Sequence, residues 1–337
     1  MHPIQEAPGV YRLPVRTPFM KEPTNAYVLR DARVGLLDTG VNTREAWGDL
    51  CDGLKALGLT PEEVETVFIS HAHVDHDGLA HRFPHAEVRV GARDLGKLVD
   101  VSGHLHDLVK SVTAQLPAWG VPPALLDSLR APLRDLLGMS ASVPWATALE
   151  GGAMVEGFGP PFRVLDLPGH SEGSIGLYRE HDGVLLVGDH ILENITPNPG
   201  LVMQPHAVTS GLGDYVDSLH AFDGLDVSLV LPGHGRSFPD LAARLESIRR
   251  HHAERLTEVE RAPGEGLTLF GIVALMFPGV DSLNGFLALS EVFGYVEMLL
   301  AGGRLEVDEG RAGRGGGVVY RRAHTWDPDG DHTRVQS

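Results

Sequence analysis

The sequence predicts an α/β fold of two related halves, and three observations carry that expectation. Short runs rich in Val, Leu and Ile alternate with helical periodicity along most of the 337 residues. Several of the apolar runs stop at a polar residue, the pattern of a buried strand that delivers a side chain at its tip. Two of them, at 163–170 and 227–234, end in the same tripeptide, Pro-Gly-His, which suggests two matching halves stacked sheet to sheet.

The elements follow in order. Residues 9–13, 26–30 and 34–38 are strand-like runs separated by turn formers, an opening antiparallel meander. Ala, Trp and Leu at helical spacing predict a helix over 43–57, and the β-branched run 64–70 predicts a strand that stops at a histidine cluster. Further strands are expected at 163–170, 173–180, 183–189 and 227–234. Between the halves, 105–119 and 123–138 carry apolar residues at i, i+3, i+4 and i+7 around a Pro-rich turn, a helical insert within 105–140. A long helix over 237–262 ends at Pro263-Gly264, where a domain boundary is expected. The main unit is thus 1–260. A small unit, 261–322, reads as two helices (268–277, 282–303) and a strand pair (304–310, 317–322), a winged-helix-like order. Residues 323–337 are polar and unpatterned, and a disordered tail is expected there.

Composition narrows the function classes. A 42% hydrophobic content excludes global disorder and collagen-like chains, and a single Cys, Cys51, excludes a disulfide scaffold. Cys51 is expected to be a small core or half-buried residue. No basic segment leads into an apolar core and no uninterrupted apolar run of about 18 residues occurs, so no membrane span and a cytoplasmic location are expected. With 28 Lys and Arg against 45 Asp and Glu, the net charge of −17 repels phosphate backbones at long range. The 18 histidines are numerous, and their clustering carries the chemistry.

HAHVDHDG at 71–78 places His71, His73, Asp75 and His76 in one loop after a buried strand, four candidate metal ligands within six residues. His170, Asp189 and His234 each end a further strand, so strand tips can bring all three to the same rim. These residues resemble the metallo-β-lactamase superfamily of hydrolases, whose HxHxDH signature matches His71, His73, Asp75 and His76. The remaining His, Asp and His of that family correspond in order to His170, Asp189 and His234. The resemblance covers roughly residues 8–260 and implies an αββα sandwich. It also implies a division of ligands: His71, His73 and His170 to one metal, Asp75, His76 and His234 to a second, and Asp189 as bridge. Imidazole and carboxylate donors suit two Zn²⁺ ions, although oxygen-rich dinuclear sites also take Fe or Mn. The implied chemistry is attack by a metal-bound hydroxide, with Asp75 and Asp189 as the catalytic carboxylates. Asp38, closing a buried strand, is placed by the resemblance as an acceptor behind the ligand loop. Ser171, His190, His206 and Tyr215 are candidate substrate contacts. His251 and His252 read as solvent-exposed.

The substrate class is argued by elimination. Metallo-β-lactamases proper commonly carry Cys where this chain has Asp189. Glyoxalase II-like thioester hydrolases keep all seven ligands but use a basic C-terminal set for glutathione, which is not identifiable here. The Leu-rich insert looks like an apolar lid, which favours a small ester, thioester or lactone. The C-terminal unit resembles the winged-helix-like domain of a branch that includes metal-dependent endoribonucleases, so a phosphodiesterase that contacts nucleic acid is the alternative. Arg304, Arg311, Arg314, Arg321 and Arg322 crowd that unit, but Glu306, Asp308 and Glu309 interleave with them, which disfavours a phosphate-binding stripe. A small-molecule substrate is therefore the expected partner, with the oligomeric state left open.

Overall fold

The computed structural model describes residues 2–18, 21–204, 207–264, 266–279, 282–311 and 316–323. The first sheet has seven strands in the order β1-β2-β3-β4-β5-β6-β7: β1 (Ile4–Ala7), β2 (Val10–Val15), β3 (Thr24–Arg30), β4 (Val34–Leu37), β5 (Thr66–Ile69), β6 (Glu87–Gly91) and β7 (Thr147–Leu149). Its first four strands are an antiparallel meander, and β4 to β7 run parallel. The second half contains β8 (Met154–Val155), β9 (Phe162–Asp166), β10 (Ile175–Arg179), β11 (Val184–Gly188), the separate hairpin β12 (Leu201–Gln204) and β13 (Ala207–Ser210), and β14 (Leu229–Pro232). Its sheet order is β14-β11-β10-β9-β8, with only β14 parallel to its neighbour.

Both faces of each sheet are covered, which is why the strands read as near-continuous apolar runs. On β3, Tyr27 and Leu29 face the second sheet and pack with Phe162, Val164, Leu177 and Leu186. Their neighbours Ala26 and Val28 face outward against Ala46, Leu50 and Leu54 of α1 (Arg44–Ala56). That helix starts at Thr43, whose side chain accepts from the Ala46 N–H. The outer face of the second sheet, with Leu165, Leu185 and Val187, is covered by Tyr215 and by Leu241, Leu245 and Ile248. Tyr215 lies on α6 (Leu212–Ser218) and the other three on α7 (Leu241–Arg261). The layers are thus α, β, β, α, as expected.

The two sheets are joined by hydrogen bonds at one end. The Asn25 N–H donates to Gly233 O at 2.7 Å, and the Asn25 amide and Tyr27 hydroxyl donate to Pro232 O at 2.9 and 2.7 Å. Across the sandwich the Ile175 N–H donates to Ser70 O at 2.8 Å. Strand tips from both halves therefore meet where the histidines lie. The ligand loop itself contains the short helix α2 (Val74–Asp77), and α3 (Leu95–Val99) follows β6.

The insert forms α4 (Val101–Gln115) and α5 (Leu126–Asp135). Val101, Leu105, Leu108, Leu136 and Met139 pack on Val74, between His73 and Asp75, so the insert is seated against the ligand loop. Beyond α7 come β15 (Leu267–Thr268), α8 (Leu269–Met276), α9 (Ser282–Ala301), β16 (Leu305–Val307) and β17 (Val319–Arg322). β15 adds a third strand to the expected pair, in the order β15-β17-β16. Val112, Leu116 and Trp119 of the insert share one core with Val259, Ile272, Val292 and Tyr295. Insert and C-terminal elements thus bury each other's apolar faces. The expected tail, after Ala323, lies outside the described residues, and Cys51 is half-buried, as expected.

Because Leu116 is fully buried in that shared core, Leu116→Ala should cost about 2–5 kcal/mol of stability. Urea unfolding checks it, and a loss within the noise of a surface substitution would show the insert to be a loosely attached decoration.

Candidate metal centre

The candidate ligands follow strand ends, and at His170 and His234 the local backbone explains the glycine before them. Gly169 adopts φ +130, and a Cβ there would run into the backbone of Tyr215. A Cβ on Gly233 would strike the Asp189 carboxylate and come within 2.8 Å of His76 Cε1. In both copies of Pro-Gly-His only glycine lets the chain approach this closely.

The ring orientations follow from what each outer nitrogen touches. The Ser70 hydroxyl lies 2.7 Å from Asp38 Oδ2 and 2.9 Å from His71 Nδ1. Donation from Ser70 to the carboxylate makes His71 Nδ1 the protonated nitrogen and leaves Nε2 as a lone pair. His76 Nδ1 donates to Asp38 Oδ2 (2.9 Å), His170 Nδ1 to Asn198 O (2.9 Å) and His234 Nδ1 to Pro23 O (3.1 Å). His73 is reversed, its Nδ1 lying 3.1 Å from His170 Nε2. Five ring nitrogens thus converge. Asp189 lies among them, with Oδ1 3.4 Å from His76 Nε2 and Oδ2 3.7 and 3.4 Å from His170 and His234 Nε2. Asp75 Oδ2 is 3.2 Å from His234 Nε2.

The donor set fits metal ions. The inner atoms His71 Nε2, His76 Nε2, His234 Nε2 and Asp189 Oδ1 are buried without a hydrogen-bond partner among the described residues, an arrangement costly for polar atoms unless a cation satisfies them. Ligand atoms lie within 4.8 Å of one another in three overlapping groups: His71, His73, His170; His71, His76, Asp189; and Asp75, His76, His234.

The protonation pattern divides the cluster. Burial, reinforced by neighbouring histidines, holds His71 well below the ordinary 6.5 and pushes His73 down to about 3; His170 is lowered by burial too. For His76 burial acts downward, but Asp189, Asp75 and Asp38 overcome it and raise the ring well above 6.5; His234 is raised in the same way by Asp189 and Asp75. Burial would raise Asp75, yet His76 and His234 bring it down to about 2.

The family can now be assigned. Residues 20–234 match the model of the metallo-β-lactamase superfamily. The chain belongs to that superfamily. It is 29% identical over 299 residues to Probable metallo-hydrolase YqjP of Bacillus subtilis, an alignment covering 87% of this chain and 92% of that protein. Among solved structures it is similar to the metallo-beta-lactamase family protein TTHA1429 from Thermus thermophilus (TM-score 0.77, 27% identity, 94% and 99% of the two chains). A beta-lactamase domain protein from Burkholderia ambifaria is similar too (TM-score 0.75, 26% identity, 95% and 94%). As a metallo-β-lactamase-superfamily member with these relatives, the chain is a metal-dependent hydrolase whose His and Asp clusters are candidates for the metal.

The other candidates from the sequence are placed as follows. Asp38 is fully buried behind the ligand loop, accepting from the Ser70 N–H (2.7 Å) as well as from Ser70 Oγ and His76. It does so from φ +60, the left-handed region that Asp tolerates better than most residues. Ser171, His190 and Tyr215 are buried, each with a polar atom bonded inside the protein, while His190 Nδ1 has no hydrogen-bond partner among the described residues. Ser171 Oγ bonds Asp94, His190 Nε2 lies 3.1 Å from Ser218 Oγ, and the Tyr215 hydroxyl donates to His190 O at 2.9 Å. His206 lies outside the described residues. His252 corrects the sequence reading: it is buried, with Nδ1 2.7 Å from the Tyr295 hydroxyl, because α9 covers the face of α7 taken as exposed.

Sequence reasoning missed Asp94. This fully buried carboxylate accepts from the Ala72 N–H (2.9 Å) and, on the other sheet, from Ser171 Oγ and the Gly173 N–H (3.1 Å), with Lys97 Nζ at 2.9 Å. Burial would raise its carboxyl, but Lys97 and these donors hold it below the ordinary value. Asp94 therefore ties the loop of His71 and His73 to the loop of His170. The only sequence signal was an acidic residue shortly after a strand, too common to single out.

Asp94→Asn keeps the volume but loses half the acceptor capacity, so metal affinity should fall about 10–100-fold, measured by chelator competition. The pH dependence should differ between the groups. His76 and His234 hold protons more tightly than free imidazole, so metal must displace them, and affinity there should still be rising between about pH 7 and 8. His71, His73 and His170 are already neutral at that pH, and affinity through them should be nearly flat. Two-site metal titrations across this range check both signs.

Proposed function

We propose that the protein is a dinuclear hydrolase of small esters, thioesters or lactones, acting with two Zn²⁺ ions. The observation that carries it is the position of Asp189, between the His71–His73–His170 group and the Asp75–His76–His234 group, within 3.4–3.7 Å of ring nitrogens from both. A carboxylate so placed suits a bridge between two ions.

When bound, the ions supply Lewis acidity and a water acidic enough to attack at neutral pH. The chain does the rest. His71, His76, Asp189 and His234 are buried and form the floor, whereas His73, Asp75 and His170 are partly exposed and form the open face on which a carbonyl arrives. Asp75, held as a carboxylate, accepts a hydrogen bond from the attacking water and orients it. Asp38, Ser70, Asn198 and Pro23 fix the rings from behind, so no reorganisation is needed as charge develops.

An acyl substrate is favoured over a polyanion. The insert brings the apolar side chains of Val101 and Leu105 up to Val74. In the C-terminal unit Arg304 is ion-paired with Glu260, and Arg321 with Glu306 at 2.8 Å, so these two cations are already neutralised. Among the described residues no helix is long and apolar enough to cross a membrane.

Elemental analysis of metal-replete protein should give about two ions per chain, and Asp189→Ala should lose metal together with turnover. A chain that never holds more than one ion refutes the dinuclear centre. In a panel of thioesters, lactones, phosphodiesters and short RNAs, the acyl substrates should turn over fastest. Preferential RNA cleavage dependent on His71 and Asp189 would replace this reading with the endoribonuclease one.

A further inference from the structure

Beside the candidate ligands, three charged side chains form a line that crosses from one half of the sandwich to the other. Lys97 Nζ lies 2.9 Å from Asp94 Oδ1 and 2.9 Å from Glu172 Oε2. Lys97 belongs to α3, which follows β6 of the first sheet, whereas Glu172 lies in the second half, two residues after His170 on the loop between β9 and β10. The ammonium is therefore shared between the halves. Lys97 is mostly buried and Asp94 wholly so, and water and salt screen such a pair little. Burial acts downward on Lys97, but Asp94 and Glu172 overcome it and raise the ammonium above its ordinary value, so it stays charged.

The backbone around this trio leaves little slack. A Cβ on Gly173 would strike Asp94 N, and a Cβ on Gly91 would strike Gly173 O, so segments 91–94 and 172–173 touch main chain to main chain. Leu98, next to Lys97, is fully buried in the core of the first sheet, and its carbonyl accepts from the Val143 N–H at 2.9 Å. α3 is thus a fixed point. Both oxygens of Asp94 are in use: Oδ2 accepts from the Ala72 N–H (2.9 Å) and Ser171 Oγ, and Oδ1 accepts from the Gly173 N–H (3.1 Å) and meets Lys97. Three of these donors are uncharged, and a fully buried carboxylate still requires a counter-charge. Among the described residues Lys97 is the cation paired with it.

We propose that Lys97 is a positioning residue of the metal centre: its ammonium pins the loop of His170 to the loop of His71 and His73, and the spacing so fixed sets how tightly these three histidines hold an ion. The spacing is visible in the rings, since His73 Nδ1 and His170 Nε2 stand 3.1 Å apart and each comes from one of the two pinned loops. Lys97 acts through Asp94, which bonds Ala72 and Gly173, and through Glu172, which is part of the second loop. Removing the cation leaves two carboxylates facing each other across the halves, one of them fully buried, and their repulsion drives the loops apart. His76 and His234 are oriented elsewhere, by Asp38 and by Pro23 O, and do not depend on the trio. The proposal rests on the reading that the three-histidine group holds an ion.

The test reads the two ligand groups separately. In an Asp75→Ala background only the His71–His73–His170 group keeps all its residues, and in a His73→Ala background only the Asp75–His76–His234 group does. Chelator competition on the Zn²⁺-loaded full chain then measures each affinity alone. Lys97→Met, close in length but uncharged, should weaken the first group about tenfold and leave the second unchanged. Lys97→Arg returns the charge and should restore most of the loss. Glu172→Gln, at a half-buried position, should cost the first group about threefold, and it decides the matter if Lys97→Met fails to fold. Amide exchange in the same protein should quicken in Lys97→Met at Ala72 and Gly173 and stay unaltered at Asn25, which bonds Gly233 O at the other end of the site. An equal loss in both groups, with Arg no better than Met, marks a merely structural role and overturns the proposal. Unchanged affinity in both Lys97→Met and Glu172→Gln overturns it too. Failure of the metal reading looks different: no Zn²⁺ is held in the Asp75→Ala background while Lys97 is intact, and the proposal falls with that reading.

Discussion

Five imidazoles and two carboxylates crowded into one end of the sandwich set the constraint on which the rest of the structure depends. Removing that many ionisable groups from water is costly unless each is oriented and its charge answered. The protein meets part of that cost by itself. Carboxylates raise His76 and His234, histidines hold Asp75 in its charged form, and backbone carbonyls orient His170 and His234. The remainder, inner ring nitrogens and a carboxylate oxygen buried without hydrogen-bond partners among the described residues, is what a divalent cation would satisfy.

Two fully buried aspartates distribute this constraint through the fold. Asp38, at the end of β4, holds Ser70 and His76 and through Ser70 orients His71. Asp94, after β6, reaches from the first sheet to the loop that follows β9 and fixes Ser171 and Gly173 beside His170. One aspartate organises a single ligand loop, and the other ties the two halves of the sandwich together across it. The Asn25 and Tyr27 bonds to Gly233 and Pro232 play the corresponding part at the tip that carries His234.

The C-terminal elements act on the centre indirectly. α9 receives the amide of Asn198 and bonds Pro199 through Ser290, and the carbonyl of Asn198 is the acceptor for His170. The insert touches the other side, at Val74, and shares its core with α8 and α9. Insert and C-terminal helices therefore form one apolar body that braces the ligand loops from two directions, and a substitution in either is expected to be felt as metal affinity as well as stability.

The alternating apolar runs and the dense HAHVDHDG segment made the α/β class, the strand meander, the helical insert and the clustering of seven candidate ligands legible in the sequence. Each of those signals is local: periodicity reports burial on one element, and a strand tip places the next side chain at the rim. What lay beyond the sequence depends on segments far apart in it. Asp94 has no local mark because its partners, Ala72 and Gly173, are 22 and 79 residues away. His252 reads as exposed on α7 alone and is buried only once α9 lies across it. Ser171, His190 and Tyr215 sit beside ligands or in their vicinity along the chain, yet the fold turns their polar atoms inward. Sequence pattern determined which residues reach the site, because ligand loops follow strands. The tertiary structure decided which side chains support them and which way each ring faces, because hydrogen-bond partners are set by packing between distant elements.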